Sequence, residues 1–453
     1  MKKLLFVALV SLFIACEQKD HAKEQTQQSD ETFPEKAKDM TIYEVNIRQY
    51  TAEGTIKAFI PHIKRLNEMG VEMLWIMPIQ PIGEKERKGS LGSYYSIKDY
   101  TAVNPEFGNL ADFKELVNTA HEHNMVVLLD WVANHTAFDH HWTTEHPDYY
   151  TKDSLGNMIP PVQDWSDVAD LNYENDSLRT DMKEAMNFWL TEADIDGFRC
   201  DVAGMVPAYF WENTIKELRE VKNIFMLAED DTPEIHDAGF DMSYGWEFLH
   251  LTHAIAKGEK NANDLEAYLN KEDSLYDPED IKMYFTTNHD ENSWSGTVFE
   301  RLDSAYNAIS LLTFTLDGMP LVYSGQEAGL NKSLAFFDKD TIAWDKLPYQ
   351  DWFNKLISLK KENPELWNAN YGGDFNRIST SNAENIFAFS RKKGNDELVI
   401  IINLSNDFQR FIMDEAYQKT FKDLLTNFDV SFDSNEFSME PWSYYVLQQT
   451  DNM

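Results

Sequence analysis

The chain has 453 residues, 43% of them hydrophobic and 13% aromatic, and its 40 basic and 77 acidic residues give a formal charge of −37. That length suits one large domain with smaller units attached, and the hydrophobic content is enough to bury a core. The charge excludes nucleic acid and an anionic membrane surface as partners, because both repel it, and it favours a neutral ligand.

The first residues, MKKLLFVALVSLFIAC, set Lys2 and Lys3 before an apolar run from Leu4 to Ala15. The run is too short to span a bilayer as a stable helix and reads as a signal peptide over residues 1–15. Cys16, directly after a small residue, is similar to the bacterial lipoprotein signal, in which that cysteine becomes the acylated first residue; an ordinary signal peptide is the alternative. The expectation is export across the inner membrane and a lipid anchor at Cys16 in the cell envelope, at the periplasm or the cell surface. The anchor would be the chain's one membrane contact. Residues 16–39 are polar and rich in Gln, Lys and Glu, which predicts a disordered tether. Cys200, the other cysteine, reads as a small buried hydrophobe.

Strand-like apolar runs then alternate with amphipathic segments. The runs are Thr41–Ile47, Val71–Pro78, Met125–Val132, Gly197–Val202, Asn223–Asp230, Phe240–Trp246, Lys282–Asp290 and Met319–Glu327. Helical stretches such as NLADFKELVNTAHEHN and NDSLRTDMKEAMNFWLTEA lie between them. Eight strands alternating with helices predict an α/β fold, a parallel (β/α)8 TIM barrel over residues 40–370, with a doubly wound sheet as the alternative. After the third strand the connection is too long for a turn and reads as a small inserted domain at about 135–172. From 371 to 450 the strands follow one another without helices, which predicts a C-terminal antiparallel β-sandwich domain.

Barrel active sites are built at the C-terminal ends of the strands. The third run ends in Asp130, Asn134 and His135, the fourth in Arg199 and Asp201, the fifth in Glu229, and the seventh in Asn288, His289 and Asp290. Arg199 and Asp201, two positions apart, project from the same face of their strand. One strand-end carboxylate alone reads as a cap or a solvated loop residue; charged and polar groups on four such ends point to chemistry.

The ordered set DWVANH (130–135), GFRCD (197–201), Glu229 in MLAED and TTNHD (286–290) resembles glycoside hydrolase family 13, the α-amylase family. ADLN (169–172) and GSYYSIKDY (92–100) extend the resemblance, which covers roughly residues 40 to 450. It implies a retaining glycosidase that cleaves internal α-1,4 bonds of starch-like α-glucans or maltooligosaccharides. Retaining cleavage needs one ionised carboxylate to attack and one protonated carboxyl to give up a proton. By position these are Asp201, the nucleophile, and Glu229, the general acid and later base. Asp290 would stabilise the transition state. Arg199 would keep Asp201 ionised. His135 and His289 would hydrogen-bond the sugar, and Tyr95 would stack against it; a satisfied core role is the plain alternative for the histidines.

Departures from the family affect specificity. Ser96 stands where exo-acting α-glucosidases commonly have aspartate. Gly204 and Met205 replace a Lys-His pair, and Asp230 and Asp231 follow the acid in place of an aromatic. The chemistry itself needs no cofactor. A structural calcium stays open, with Asn134, Asp170 and the Met205 carbonyl at the family's usual ligand positions. The rival readings are a transglycosylase or a cyclomaltodextrinase- or neopullulanase-like enzyme with the same site, and a non-catalytic α-glucan-binding protein. The intact acidic triad argues against the last.

Overall fold

The computed structural model describes residues 32–432 and 436–449; the expected signal peptide, Cys16 and the expected tether up to residue 31 lie outside the described residues. Eight parallel strands close into a barrel. They are β1 (Ile42–Val45), β2 (Met73–Ile76), β3 (Val126–Trp131), β6 (Gly197–Cys200), β7 (Phe225–Ala228), β8 (Met242–Tyr244), β9 (Ile281–Tyr284) and β10 (Met319–Tyr323). Each coincides with one of the eight apolar runs, and only β9 begins outside its run, one residue early. Two further short strands, β4 (His135–Ala137) and β5 (Val168–Asp170), pair antiparallel and bracket the inserted segment.

Alternation along the strands divides the core in two. Met73, Trp75, Leu128, Phe225, Leu227 and Met283 point inward with their counterparts on the other strands and fill the barrel. Leu74, Ile76, Val127, Leu129, Phe198 and Cys200 belong to the outer core under the helices, so Cys200 is a free, buried packing residue. On β6 the inward positions are therefore Gly197 and Arg199. Gly197 must be glycine: its φ is +153° and a Cβ there would sit 1.9 Å from the Phe225 carbonyl oxygen.

The helices between strands begin where the chain supplies caps. Asn109 starts Leu110–Glu122 with a capping box, and Asn175 caps Asp176–Glu192. Among the described residues no helix is long and apolar enough to cross a membrane.

The expected tether is corrected at its end. Phe33–Lys36 is a short helix, and Phe33 lies 5.7 Å, ring to ring, from Phe225, the first residue of β7. Phe33, Ala37 and Met40 join the inner core, and Asn368 fastens the segment by donating to the Ala37 carbonyl at 2.9 Å. Apolar contact with the barrel floor outweighs the polar composition that predicted disorder there.

The C-terminal unit is a β-sandwich. Its six-stranded antiparallel sheet runs, edge to edge, Asp374–Arg377, Ile386–Lys393, Asp396–Asn403, Tyr444–Gln449, Thr420–Asp423 and Asp429–Ser431. Gln409–Phe411 and Phe437–Met439 form a second, two-stranded sheet. Ile386, Val399, Ile401, Phe411 and Met439 pack in one apolar cluster, while Phe387, Phe389, Ile400 and Ile402 join the barrel's outer core.

Candidate active site

The site forms because strand register brings charged inward positions together. Asp130 on β3 is the register partner of Arg199 on β6, and Glu44 on β1 is the partner of Trp75 on β2. Arg199 is fully buried. Its Nη1 donates to Asp130 Oδ1 at 3.0 Å and to Asp201 Oδ1 at 3.1 Å, and its Nε donates to Tyr244 Oη at 3.1 Å. Nη2 lies 3.0 Å from Glu229 Oε2 but out of line for a hydrogen bond. One guanidinium thus spans three carboxylates. Trp75 Nε1, at 3.0 Å, and Tyr95 Oη, at 3.2 Å, also donate to Asp130 and hold it on the floor.

Arg199, expected to serve Asp201 alone, is thus shared among three carboxylates. Burial and then the charge of Glu229 push Asp201 up, with Arg199 opposing. Burial also pushes Glu229 up, again opposed by Arg199 and helped by Asp290. Two buried carboxyls beside one guanidinium oppose each other's ionisation. The in-line bond from Arg199 favours the charge on Asp201 and the proton on Glu229.

Strain marks the loop beside the nucleophile. Val202 has φ +40° and ψ +47°, a region that costs a β-branched residue about 1–3 kcal/mol. Its N–H is thereby aimed at Glu229 Oε2, 2.8 Å away. The two departures after the acids also meet, since a Cβ on Gly204 would lie 1.8 Å from Asp230 Oδ2.

The seventh barrel strand stops at Tyr284, short of the predicted run. Asn288 Oδ1 then accepts from Glu291 N at 2.8 Å and caps the helix His289–Trp294. His289 and Asp290 are thus set on a first helical turn. His289 Nδ1 contacts Glu44 Oε1, and Nε2 lies 2.8 Å from Tyr95 Oη and 3.2 Å from Asp290 Oδ2. Burial would lower its pKa, but Asp290 and Glu44 outweigh that and raise it to about 9. His135 is the opposite case. Burial pushes it down to about 4, and it accepts at Nδ1 from Asn134 Nδ2, 3.2 Å away, so its Nε2 carries the remaining proton.

Above this floor is a cavity of about 370 Å³ lined by Tyr95, His135, Asp201, Glu229, His289 and Asp290. Arg199 lies beneath it and is not part of the lining. Sequence reasoning missed Lys88, Trp165, Asp167, Trp294, Phe336 and Phe337, which complete the walls. It also missed Glu44, whose signal was a carboxylate at an inward strand position.

Asn134 and Asp170 sit side by side at the β4–β5 pair, where Leu171 N donates to the Asn134 carbonyl at 3.1 Å. They supply one amide and one half-buried carboxylate, and the amide nitrogen is turned to His135. Among the described residues no group of three or more His, Cys, Asp and Glu side chains is placed to hold a metal ion. The set does not make a calcium cage, which takes six to eight oxygens.

A profile described as Alpha amylase, catalytic domain, matches residues 24–165 and 161–397. The α-amylase MalA of Haloarcula japonica is 27% identical over 398 residues, 83% of this chain and 56% of its own length. A cyclomaltodextrinase of Thermoanaerobacter pseudethanolicus is 22% identical over 425 residues, 87% of this chain and 71% of its own. Among solved structures, a maltogenic α-amylase from Thermotoga neapolitana superposes with a TM-score of 0.83 at 29% identity, covering 90% of this chain and 98% of that one.

Proposed function

The chain belongs to the α-amylase family of glycoside hydrolases, and from that premise we propose that it hydrolyses α-1,4-glucosidic bonds of starch-like α-glucans or maltooligosaccharides with retention. The carrying observation is the pair Asp201 and Glu229 on one buried guanidinium, in a cavity that Asp290 also lines. Asp201 attacks the anomeric carbon while Glu229 protonates the leaving oxygen. Glu229 then takes a proton from water, which opens the covalent intermediate. Asp290 stabilises the positive charge that develops on the sugar ring. His289, positively charged, and His135, neutral, donate hydrogen bonds to its hydroxyls. No step needs a metal.

Asp201→Asn and Glu229→Gln are expected to lower turnover of maltotetraose by about two to four orders of magnitude without changing the melting temperature by more than a few degrees. Reducing-end assays and thermal melts check this, and substantial turnover in either variant would sink the assignment. Ser96, where exo-acting α-glucosidases commonly have aspartate, argues against release of single terminal glucose units. Relatives named as a maltosyltransferase and as a 4-α-glucanotransferase leave transfer to a second sugar as the alternative. Products longer than the starting oligosaccharide at early times would favour it.

Export and lipid anchoring at Cys16 complete the proposal, on the strength of MKKLLFVALVSLFIAC. Cells fed a labelled fatty acid should label the wild-type protein and not Cys16→Ser; equal labelling would end the anchor reading.

A further inference from the structure

Two seams join three loops around one side of the cavity. Lys88, on the segment after β2, sets its ammonium 2.9 Å from Asp167 Oδ1 and donates to the Asp164 carbonyl at 2.6 Å, both on the inserted segment. Two and three residues on, Ser90 N donates to Asp338 Oδ1 at 2.9 Å and Leu91 N to the Phe337 carbonyl at 3.0 Å, both on the segment after β10. Residues 88–91 therefore strap the inserted segment to the segment after β10. Lys88, Asp167 and Phe337 all line the cavity, and Ser96, next to Tyr95, holds the Asp167 carbonyl at 3.1 Å. The strap thus lies on the Tyr95 side.

The Glu229 side differs. Among the described residues, segment 229–233 bonds to Cys200, Val202, Ala203, Tyr244 and Tyr276 and to its own following turn, and to neither strapped segment. Because Glu229 protonates the leaving group, the open side takes that part of the substrate. The strapped side takes the glycone, the part toward the non-reducing end.

The Lys88–Asp167 pair is also built to bind hydroxyls. Asp167 is 5% exposed, and its partner is half-buried on the same wall. The Asp164 carbonyl takes an ammonium proton, and Asp167 sets one of its two oxygens against the ammonium as an ion pair. The remaining donor and acceptor match a sugar's vicinal hydroxyls, and a neutral ligand leaves the pair's charges balanced.

We infer that the Lys88–Asp167 pair recognises the glycone's outermost sugar and that the strap limits how many units fit there, so the enzyme acts on short maltooligosaccharides and chain ends in preference to polymer interiors. This rests on the proposed α-1,4 hydrolysis and sets its position at a short, fixed distance from the non-reducing end, in place of the internal attack that the family resemblance implies.

Maltoheptaose carrying a fluorophore at its reducing end, sampled early and sized by electrophoresis, tests it. The wild type should give one or two labelled products, each a constant small number of units shorter than the substrate. Lys88→Ala should spread the product sizes and raise KM for maltotriose about ten-fold, with a smaller change in kcat. Asp338→Ala removes the acceptor that Ser90 N and Oγ share and so opens the other seam without touching the ion pair. It should also spread the products and raise amylose turnover relative to maltotriose, and it keeps the test decisive if Lys88→Ala does not fold. Wild-type products of all lengths from the first samples would overturn the inference, as would a folded Lys88→Ala with the wild-type pattern and KM. Absence of any wild-type cleavage would overturn the hydrolytic activity itself, a different result from turnover with the wrong product sizes.

Discussion

His289 holds a proton that its burial alone would remove, because Asp290 and Glu44 lie against its two ring nitrogens. Its pKa rises from an unfolded value near 6.5 to about 9 on folding. The stability it contributes is therefore complete below about pH 6.5 and is lost as pH rises through 9. Denaturant titrations at pH 6, 7.5 and 9 should show the wild type weakening across that window and His289→Gln with a flatter profile; identical slopes would contradict the charge assignment. Asp201, Glu229, Asp290 and His289 were legible in the sequence because each stands in a short motif at the end of a strand-like run. Glu44, Lys88 and Asp167 were not. Glu44 meets His289 across 245 residues, and Lys88 meets Asp167 across a loop whose path no local pattern specifies.

At the scale of elements, the cap at Asn288 converts the end of a strand segment into a helix start and so orients Asp290. Asn288→Ala should cost about 1 kcal/mol of stability. It should also lower kcat more than it raises KM, since the misplaced group acts on the developing charge; urea melts and initial rates read the two effects separately. All eight barrel strands were legible as apolar runs, since a buried parallel strand leaves an almost uninterrupted hydrophobic stretch. The seventh was read too long because Thr286 and Thr287 are good strand residues, and only the side-chain bond from Asn288 to the Glu291 N–H ends the extended path. The left-handed Val202 had no local signal at all. A valine is a poor choice for that conformation, and the contact with Glu229 at the end of the neighbouring strand holds it there.

For the whole molecule, the barrel needs its floor closed as much as its mouth formed. Phe33 is 3% exposed and packs among the first residues of the strands, so Phe33→Ala should destabilise the protein by about 3–5 kcal/mol. A denaturation midpoint unchanged by the substitution would show that the segment merely rests on the surface. The sequence concealed this plug because a four-residue helix has little periodicity, and its apolar residues are scattered among Lys and Glu. The plug also fixes where an anchored chain would join the enzyme. The N-terminal chain leaves from the floor, whereas Asp201, Glu229 and Asp290 follow the opposite ends of the strands. With Cys16 acylated as proposed, the 16 steps from Cys16 to Thr32 reach at most about 58 Å. A pull on the leash would bear on the floor helix and leave the catalytic loops unloaded.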